Sequence, residues 1–349
     1  MNLGLLERVD RQRRWWGEWY ELAGLGPQRS TARIVYEEPL LRLHAYDPPP
    51  AETNDKALLL IPAPIKKSYI WDLEPEVSVV QHALAAGFRT YLIDWQAPGS
   101  AARDDGLAVY GDRLLMACRA AIDKDCAPKR VFLAGHSLGG TLAALFASVQ
   151  PQALDALALL EAPVNFAGGA FSQALARAPH VGDWAGDIAT VPGSLLNIAS
   201  IASAPGAFVF ERWYDRLQCA GDAEALRRYR RVQRWTLDET PLTRRLFEET
   251  VERLYRDNAF MTGKLYLDGK LASPQTITAP LLTVVDPRSR VVPEQAVRPL
   301  QEAISSHSKK MLKYTGDRGV LLQHVGVLVG PNAHRTLWPE IFHWLETVA

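Results

Sequence analysis

The sequence predicts an α/β protein, a mostly parallel sheet flanked by helices on both faces, with a helical cap inserted late in the order of strands. Three observations predict it. Short, continuously apolar runs recur at residues 57–61, 90–93, 130–134, 156–160 and 280–285. Strands buried on both faces read this way, without the polar alternation of a half-exposed sheet. Stretches of helical period separate the runs, and parallel neighbours need such crossovers. Between residues 166 and 278 the rhythm lapses, and an excursion of that length between two strands is too long for a loop.

Taken in order, residues 1–32 form an N-terminal helical segment. Leu5, Leu6, Val9, Trp15, Trp16, Trp19, Tyr20 and Leu22 fall among polar neighbours there, as on an amphipathic helix. Residues 33–36 and 41–46 alternate in strand fashion, and Asp47 followed by Pro48, Pro49 and Pro50 makes a rigid break. Residues 33–165 are the first part of the α/β core; residues 279–349 are its second part, closing with an amphipathic helix over 337–348. The cap between them, 166–278, carries Trp184, Phe208, Phe210, Trp213, Tyr214, Trp235, Tyr255 and Phe260. An insertion so rich in bulky side chains is expected to dock on the strand ends. There it would enclose a narrow apolar cavity that disfavours charged esters.

Composition narrows the functional classes. Hydrophobic residues are 48% and charged residues 22% of the 349, which excludes a disordered, collagenous or coiled-coil chain. Thirty-nine Lys and Arg balance thirty-nine Asp and Glu, so no global field favours nucleic acid or an anionic membrane. Three cysteines, Cys118, Cys126 and Cys219, are too few and too scattered for a disulfide framework or a zinc site. The N-terminus has no apolar core of signal-peptide length. No uncharged apolar stretch reaches the ~18 residues of a membrane-spanning helix. A soluble, cytoplasmic protein is the expectation. No G-x-G-x-x-G or Walker loop follows a strand and no Cys/His cluster is present, so neither a nucleotide cofactor nor a metal is expected.

The sharpest local signal is Gly135-His136-Ser137-Leu138-Gly139-Gly140. It follows the apolar run ending at Ala134 and opens a helical stretch, the strand–turn–helix context in which G-x-S-x-G holds a nucleophile. Ser137 must sit on a tight turn, where Gly135 and Gly139 remove side chains that would collide. Its Oγ then projects above the sheet, and the Leu138 N–H at the helix start can stabilise an oxyanion. A second oxyanion donor is expected after the first central strand, in Ala63-Pro64-Ile65, with the Ile65 N–H as the candidate.

Serine needs a base. His324 lies late in the chain, after the last apolar run, where the α/β-hydrolase order Ser–acid–His puts the histidine. The acid has two candidates. Asp286 ends the apolar run 280–285, but the usual position lies about three residues further on, where Ser289 stands. Glu161 ends the run 156–160, a costly place to leave a carboxylate unpaired. The two remain open on sequence alone.

From about Arg33 onward the chain resembles the catalytic subunit of class III polyhydroxyalkanoate synthases. The resemblance rests on residues 34–46, on Ser68-Tyr-Ile-Trp-Asp-Leu-Glu-Pro75 and on Tyr91-Leu-Ile-Asp-Trp95. It continues through Ala162-Pro-Val-Asn-Phe166, Pro192-Gly-Ser-Leu-Leu-Asn197, Arg256-Asp-Asn258 and His324-Val-Gly326. It implies an α/β-hydrolase core with a helical cap, covalent chemistry on a small-molecule acyl ester or acyl-CoA, and a homodimer or a partner subunit. The chain departs from the family where the chemistry happens. Ser137 replaces the nucleophilic cysteine, Ser289-Arg290 replace an Asp-His pair, and Gln323 replaces a glycine. A serine must be activated by its base and yields an oxyester that water can discharge through the same histidine. The expectation is therefore hydrolysis of a hydroxyacyl ester, oligomer or thioester, with acyl transfer or a non-catalytic binding role as alternatives.

Overall fold

The computed structural model describes residues 3–48, 55–168, 170–177, 179–184, 188–203, 205–317, 320–321 and 323–348, the side chains of Trp184 and Phe208 lying outside the described residues. The two alternating runs form β1 (Arg33–Glu38) and β2 (Leu41–Tyr46). The continuous apolar runs form β3 (Lys56–Ile61), β4 (Arg89–Trp95), β5 (Arg130–His136) and β6 (Ala156–Leu160). Two short pairs follow, β7 (Thr190–Val191) with β8 (Leu242–Thr243) and β9 (Leu265–Leu267) with β10 (Lys270–Ala272). The sheet resumes with β11 (Leu281–Val285) and ends with β12 (Lys309–Lys313).

Eight strands share the main sheet in the order β1-β2-β4-β3-β5-β6-β11-β12. All pairings from β4 to β12 are parallel, whereas β1 with β2 and β2 with β4 are antiparallel. The register shows why the central runs carry no polar alternation. Leu59 and Ile61 of β3 enter one apolar cluster with Val131 and Leu133, while Leu58 and Leu60 enter another with Phe132 and Ala134. Both faces are therefore buried, at about 1.5–3 kcal/mol for each large side chain. Among the parallel strands, β12, Lys-Lys-Met-Leu-Lys, departs from the apolar pattern. It is an edge strand, where lysines hinder pairing with another chain.

Helices α1 (Leu3–Leu22), α2 (Val79–Ala85), α3 (Leu114–Cys126) and α4 (Leu138–Val149) precede the excursion. The excursion itself contains α5 (Ala170–Ala176), α6 (Val181–Trp184), α7 (Gly193–Ser203), α8 (Glu211–Gln218), α9 (Ala223–Thr236) and α10 (Arg244–Glu249). The chain returns to the core before β11: Ala259, Phe260, Leu265, Leu267, Ala272 and Ile277 are buried in the same cluster as α4 and β5. Helices α11 (Arg298–Ala303), α12 (Gln323–Val329) and α13 (Trp338–Val348) complete the chain.

The N-terminal helical segment is α1. Its tryptophans do not face the core: Trp15, Trp16, Trp19 and Leu22 are exposed. Polar residues dock it instead. Asp10 accepts the Ser194 N–H at 2.7 Å, Arg13 reaches Glu239 at 2.7 Å, and Glu21 pairs with Arg234 at 2.7 Å. Gly17 allows the close approach, since a Cβ there would lie 2.8 Å from the Arg234 guanidinium. The surface it meets, on α7 and α9, offers these polar partners, so the tryptophans turn outward while Leu6 is buried.

Candidate active site

Three adjacent parallel strands, β5, β6 and β11, each end one residue short of a candidate side chain: Ser137, Glu161 and Asp286. The ladder carries on through these residues. The Ser137 N–H donates to the Leu160 carbonyl at 3.1 Å, and the Glu161 N–H to the Val284 carbonyl at 3.0 Å. The site is thus assembled by strand register at the carboxyl edge of the sheet, where open α/β sheets bind their ligands.

Ser137 has φ 55° and ψ −132°, a conformation that L-residues rarely adopt, and it is the N-cap of α4. The two flanking glycines make the turn feasible. A Cβ on Gly135 would lie 2.6 Å from the Gly140 Cα, and one on Gly139 would lie 2.5 Å from the Pro62 carbonyl carbon. The backbone strain, of order 1–3 kcal/mol, is held by a helix behind it that is buried from Gly139 to Ser148. Leu138 opens α4, so its N–H has no intrahelical acceptor. Across the cavity, Pro62 and Pro64 lack N–H groups, leaving Ala63 and Ile65 as the backbone donors of that loop. Both line the cavity, and the Ile65 carbonyl is engaged by the Thr240 N–H at 3.1 Å.

Glu161 is fully buried and its backbone has φ 46°, a second non-glycine residue in the left-handed region. Its Oε1 accepts the Asp286 N–H, and its Oε2 lies 3.5 Å from the His324 Nδ1. The Ser289 hydroxyl also donates to this carboxylate. Burial pushes the Glu161 carboxyl up to about 8, with the Asp286 N–H and the Ser289 hydroxyl opposing it. Burial likewise pushes the His324 imidazole down to about 4, so the ring is neutral at physiological pH.

Asp286 faces elsewhere. Its carboxylate accepts the Arg288 N–H at 2.8 Å and pairs with the Arg288 guanidinium at 3.1 Å. Of the two acid candidates, the fold brings Glu161 to His324.

Two residues went unassigned on sequence. His136, the second letter of the motif, is buried; its Nε2–H donates to the His324 carbonyl at 2.8 Å and its ring lies against the His324 ring at 4.6 Å. It therefore fixes the position of the candidate base. Ser289 supports Glu161 from the position where a family acid was expected. Neither role has a local signature.

Ser137, Leu138, His136 and His324 line one cavity of about 190 Å³. Leu196, Leu242, Phe247, Val251 and Tyr255 from the excursion supply much of its wall. The wall is not apolar throughout: Lys66, Arg212 and Glu239 line it too. They come from a loop, from α8 and from the turn after α9, and no local pattern reveals that they converge.

Known proteins agree with this architecture. Residues 58–324 match the profile described as Alpha/beta hydrolase family, and residues 26–83 match the Poly-beta-hydroxybutyrate polymerase (PhaC) N-terminus. The chain is 26% identical over 332 residues to the Poly(3-hydroxyalkanoate) polymerase subunit PhaC of Haloarcula marismortui, covering 90% of this chain and 67% of that protein. It is also 26% identical to the PhaC subunit of Allochromatium vinosum, covering 91% and 88% respectively. The chain spans about two thirds of the length of its haloarchaeal relatives. Among solved structures, the monoacylglycerol lipase of Paleococcus ferrophilus matches with TM-score 0.57 at 16% identity, covering 88% of this chain and 99% of that one. With a family match across residues 58–324, a mostly parallel eight-stranded sheet and similarity to polyhydroxyalkanoate polymerase subunits over most of its length, this chain belongs to the alpha/beta hydrolase family.

Proposed function

We propose that the chain is a serine acyl hydrolase of polyhydroxyalkanoate-synthase ancestry, acting on a hydroxyacyl ester, polyester oligomer or thioester in the cytoplasm. The observation that carries the reading is the contact between His324 Nδ1 and Glu161 Oε2 at 3.5 Å, in a cavity that also exposes Ser137 on its strained turn. Ser137 Oγ attacks the acyl carbonyl while His324 Nε2 takes its proton. The Leu138 N–H and a donor from the Ala63–Ile65 loop face the oxyanion. The C–O or C–S bond then breaks, His324 returns the proton to the leaving alcohol or thiol, and water repeats the sequence on the acyl-serine. Glu161 holds the Nδ1–H tautomer and stabilises the imidazolium. The unpaired state of Cys118, Cys126 and Cys219 suits a reducing compartment.

Acyl transfer is the second reading, favoured by relatives that are named polymerase subunits. A fluorophosphonate probe tests the nucleophile: the wild type is labelled and Ser137→Ala is not. Undiminished labelling or turnover in Ser137→Ala overturns both readings. Product analysis with 3-hydroxybutyryl-CoA separates them, since hydrolysis releases free acid and transfer builds oligomer.

A further inference from the structure

The cavity wall carries more positive charge than it neutralises. Glu239 has both carboxylate oxygens engaged: Arg13 donates to them at 2.7 and 3.0 Å, and Lys66 donates to Oε1 at 2.5 Å. Lys66 is further bound to the Thr236 carbonyl at 2.9 Å and lies over the Trp235 ring at 5.3 Å. Arg212 is left over. Among the described residues its guanidinium contacts only the neutral Thr236 hydroxyl, at 3.5 Å, and no carboxylate lies within ion-pair distance. On the wall itself Lys66, Lys67 and Arg212 stand against Glu239 alone, a net charge of +2 beside a largely apolar chamber, while Arg13 braces Glu239 from behind. Burial pulls the Arg212 guanidinium below its ordinary value, which marks the charge as poorly solvated. A desolvated guanidinium is costly unless a counter-ion completes it, and its fork of donors matches a carboxylate or phosphate.

We propose that Arg212, flanked by Lys66, is a subsite for one anionic group carried by the acyl substrate, a carboxylate or a phosphate. The substrate class then becomes specific: hydroxyalkanoate oligomers with a free carboxylate end, or acyl-CoA with its phosphates. This rests on Ser137 being the nucleophile of the same cavity.

The test uses the full chain and two matched pairs. One pair is the linear 3-hydroxybutyrate dimer as free acid and as its carboxyl-terminal amide; the other is butyryl-CoA and butyryl-pantetheine. In the wild type, kcat/KM favours the anionic member of at least one pair. In Arg212→Met that ratio falls about 10- to 100-fold, carried by KM, the magnitude of a charge-assisted bidentate pair. Arg212→Lys recovers part of it. A shift confined to the dimer identifies a carboxylate, and one confined to the coenzyme identifies its phosphates. Ratios near unity in the wild type, or unmoved in Arg212→Met, overturn the subsite. Calorimetry of the dimer acid on Ser137→Ala, with and without Arg212→Met, gives the same answer without turnover. A failed nucleophile is thereby distinguished from a failed subsite.

Discussion

Replacing Glu161 with glutamine is expected to lower kcat about 10³- to 10⁴-fold, as in triads that lose only their acid. The hydrogen bonds around Glu161 explain why. Its Oε1 accepts the Asp286 N–H and its Oε2 faces His324 Nδ1. A glutamine that keeps the first contact must turn its NH₂ toward His324. Nδ1 then becomes the acceptor, the proton moves to Nε2, and the nitrogen that should receive the Ser137 proton is occupied. Flipping the amide restores the tautomer but sets its NH₂ against the buried Asp286 N–H, at about 1–3 kcal/mol. Loss of the negative charge beside the developing imidazolium adds to this. Together they span the ~4–5.5 kcal/mol that three to four decades represent at about 1.36 kcal/mol each. Asp286→Asn keeps the backbone N–H that serves Glu161 and loses only a pair with Arg288, whose side chain is 60% exposed. Such a pair contributes about 1 kcal/mol or less, a fivefold effect at most. Initial rates on p-nitrophenyl butyrate, normalised by active-site titration, compare the two variants. The reverse order, or two losses below tenfold, would refute the argument and leave Ser137 and His324 as a dyad.

Activity is also expected to depend on pH through the same carboxyl. Raised to about 8 by burial, Glu161 is protonated below that pH and no longer sets a negative charge beside the His324 imidazolium that forms in the reaction. His324, lowered to about 4, stays neutral throughout. The rate should therefore climb between pH 6 and 9, and Ser289→Ala should move the midpoint upward by removing a bond that favours the carboxylate; a flat profile contradicts this. Ser137→Cys should raise the thioester-to-oxyester rate ratio, because a thiolate attacks thioesters readily and leaves easily; an unmoved ratio means the nucleophile does not set reaction class. Gly139→Ala pushes a Cβ into the Ile61–Pro62 backbone and should cost more than about 3 kcal/mol, read as a fall in thermal stability. Near-native stability would show that the turn can relax.

Much of this protein is legible in one dimension because the physics involved is local. Continuous apolar runs announce strands buried on both faces, and β3 to β6 and β11 form there. A serine between glycines at a strand-to-helix junction announces a strained turn, and Ser137 adopts it. The last apolar run, followed by a histidine, points to His324. These signals depend on periodicity, backbone freedom and chain order, all written within a few residues of each other.

The remaining features depend on which strands are neighbours, and local chemistry does not encode that. Glu161 and Asp286 look equivalent as acids ending apolar runs. Only the pairing of β6 between β5 and β11 sends the first toward His324 and leaves the second with Arg288. The outward tryptophans of α1 follow from the polar surface that its other face meets. The charged wall joins Lys66, Arg212 and Glu239, with Arg13 paired to Glu239 behind it, residues hundreds of positions apart at the extremes, each an ordinary surface charge when read alone. Burial is what turns them into an electrostatic feature. A charge acquires meaning only when solvent is removed, and removing solvent is the work of the tertiary fold.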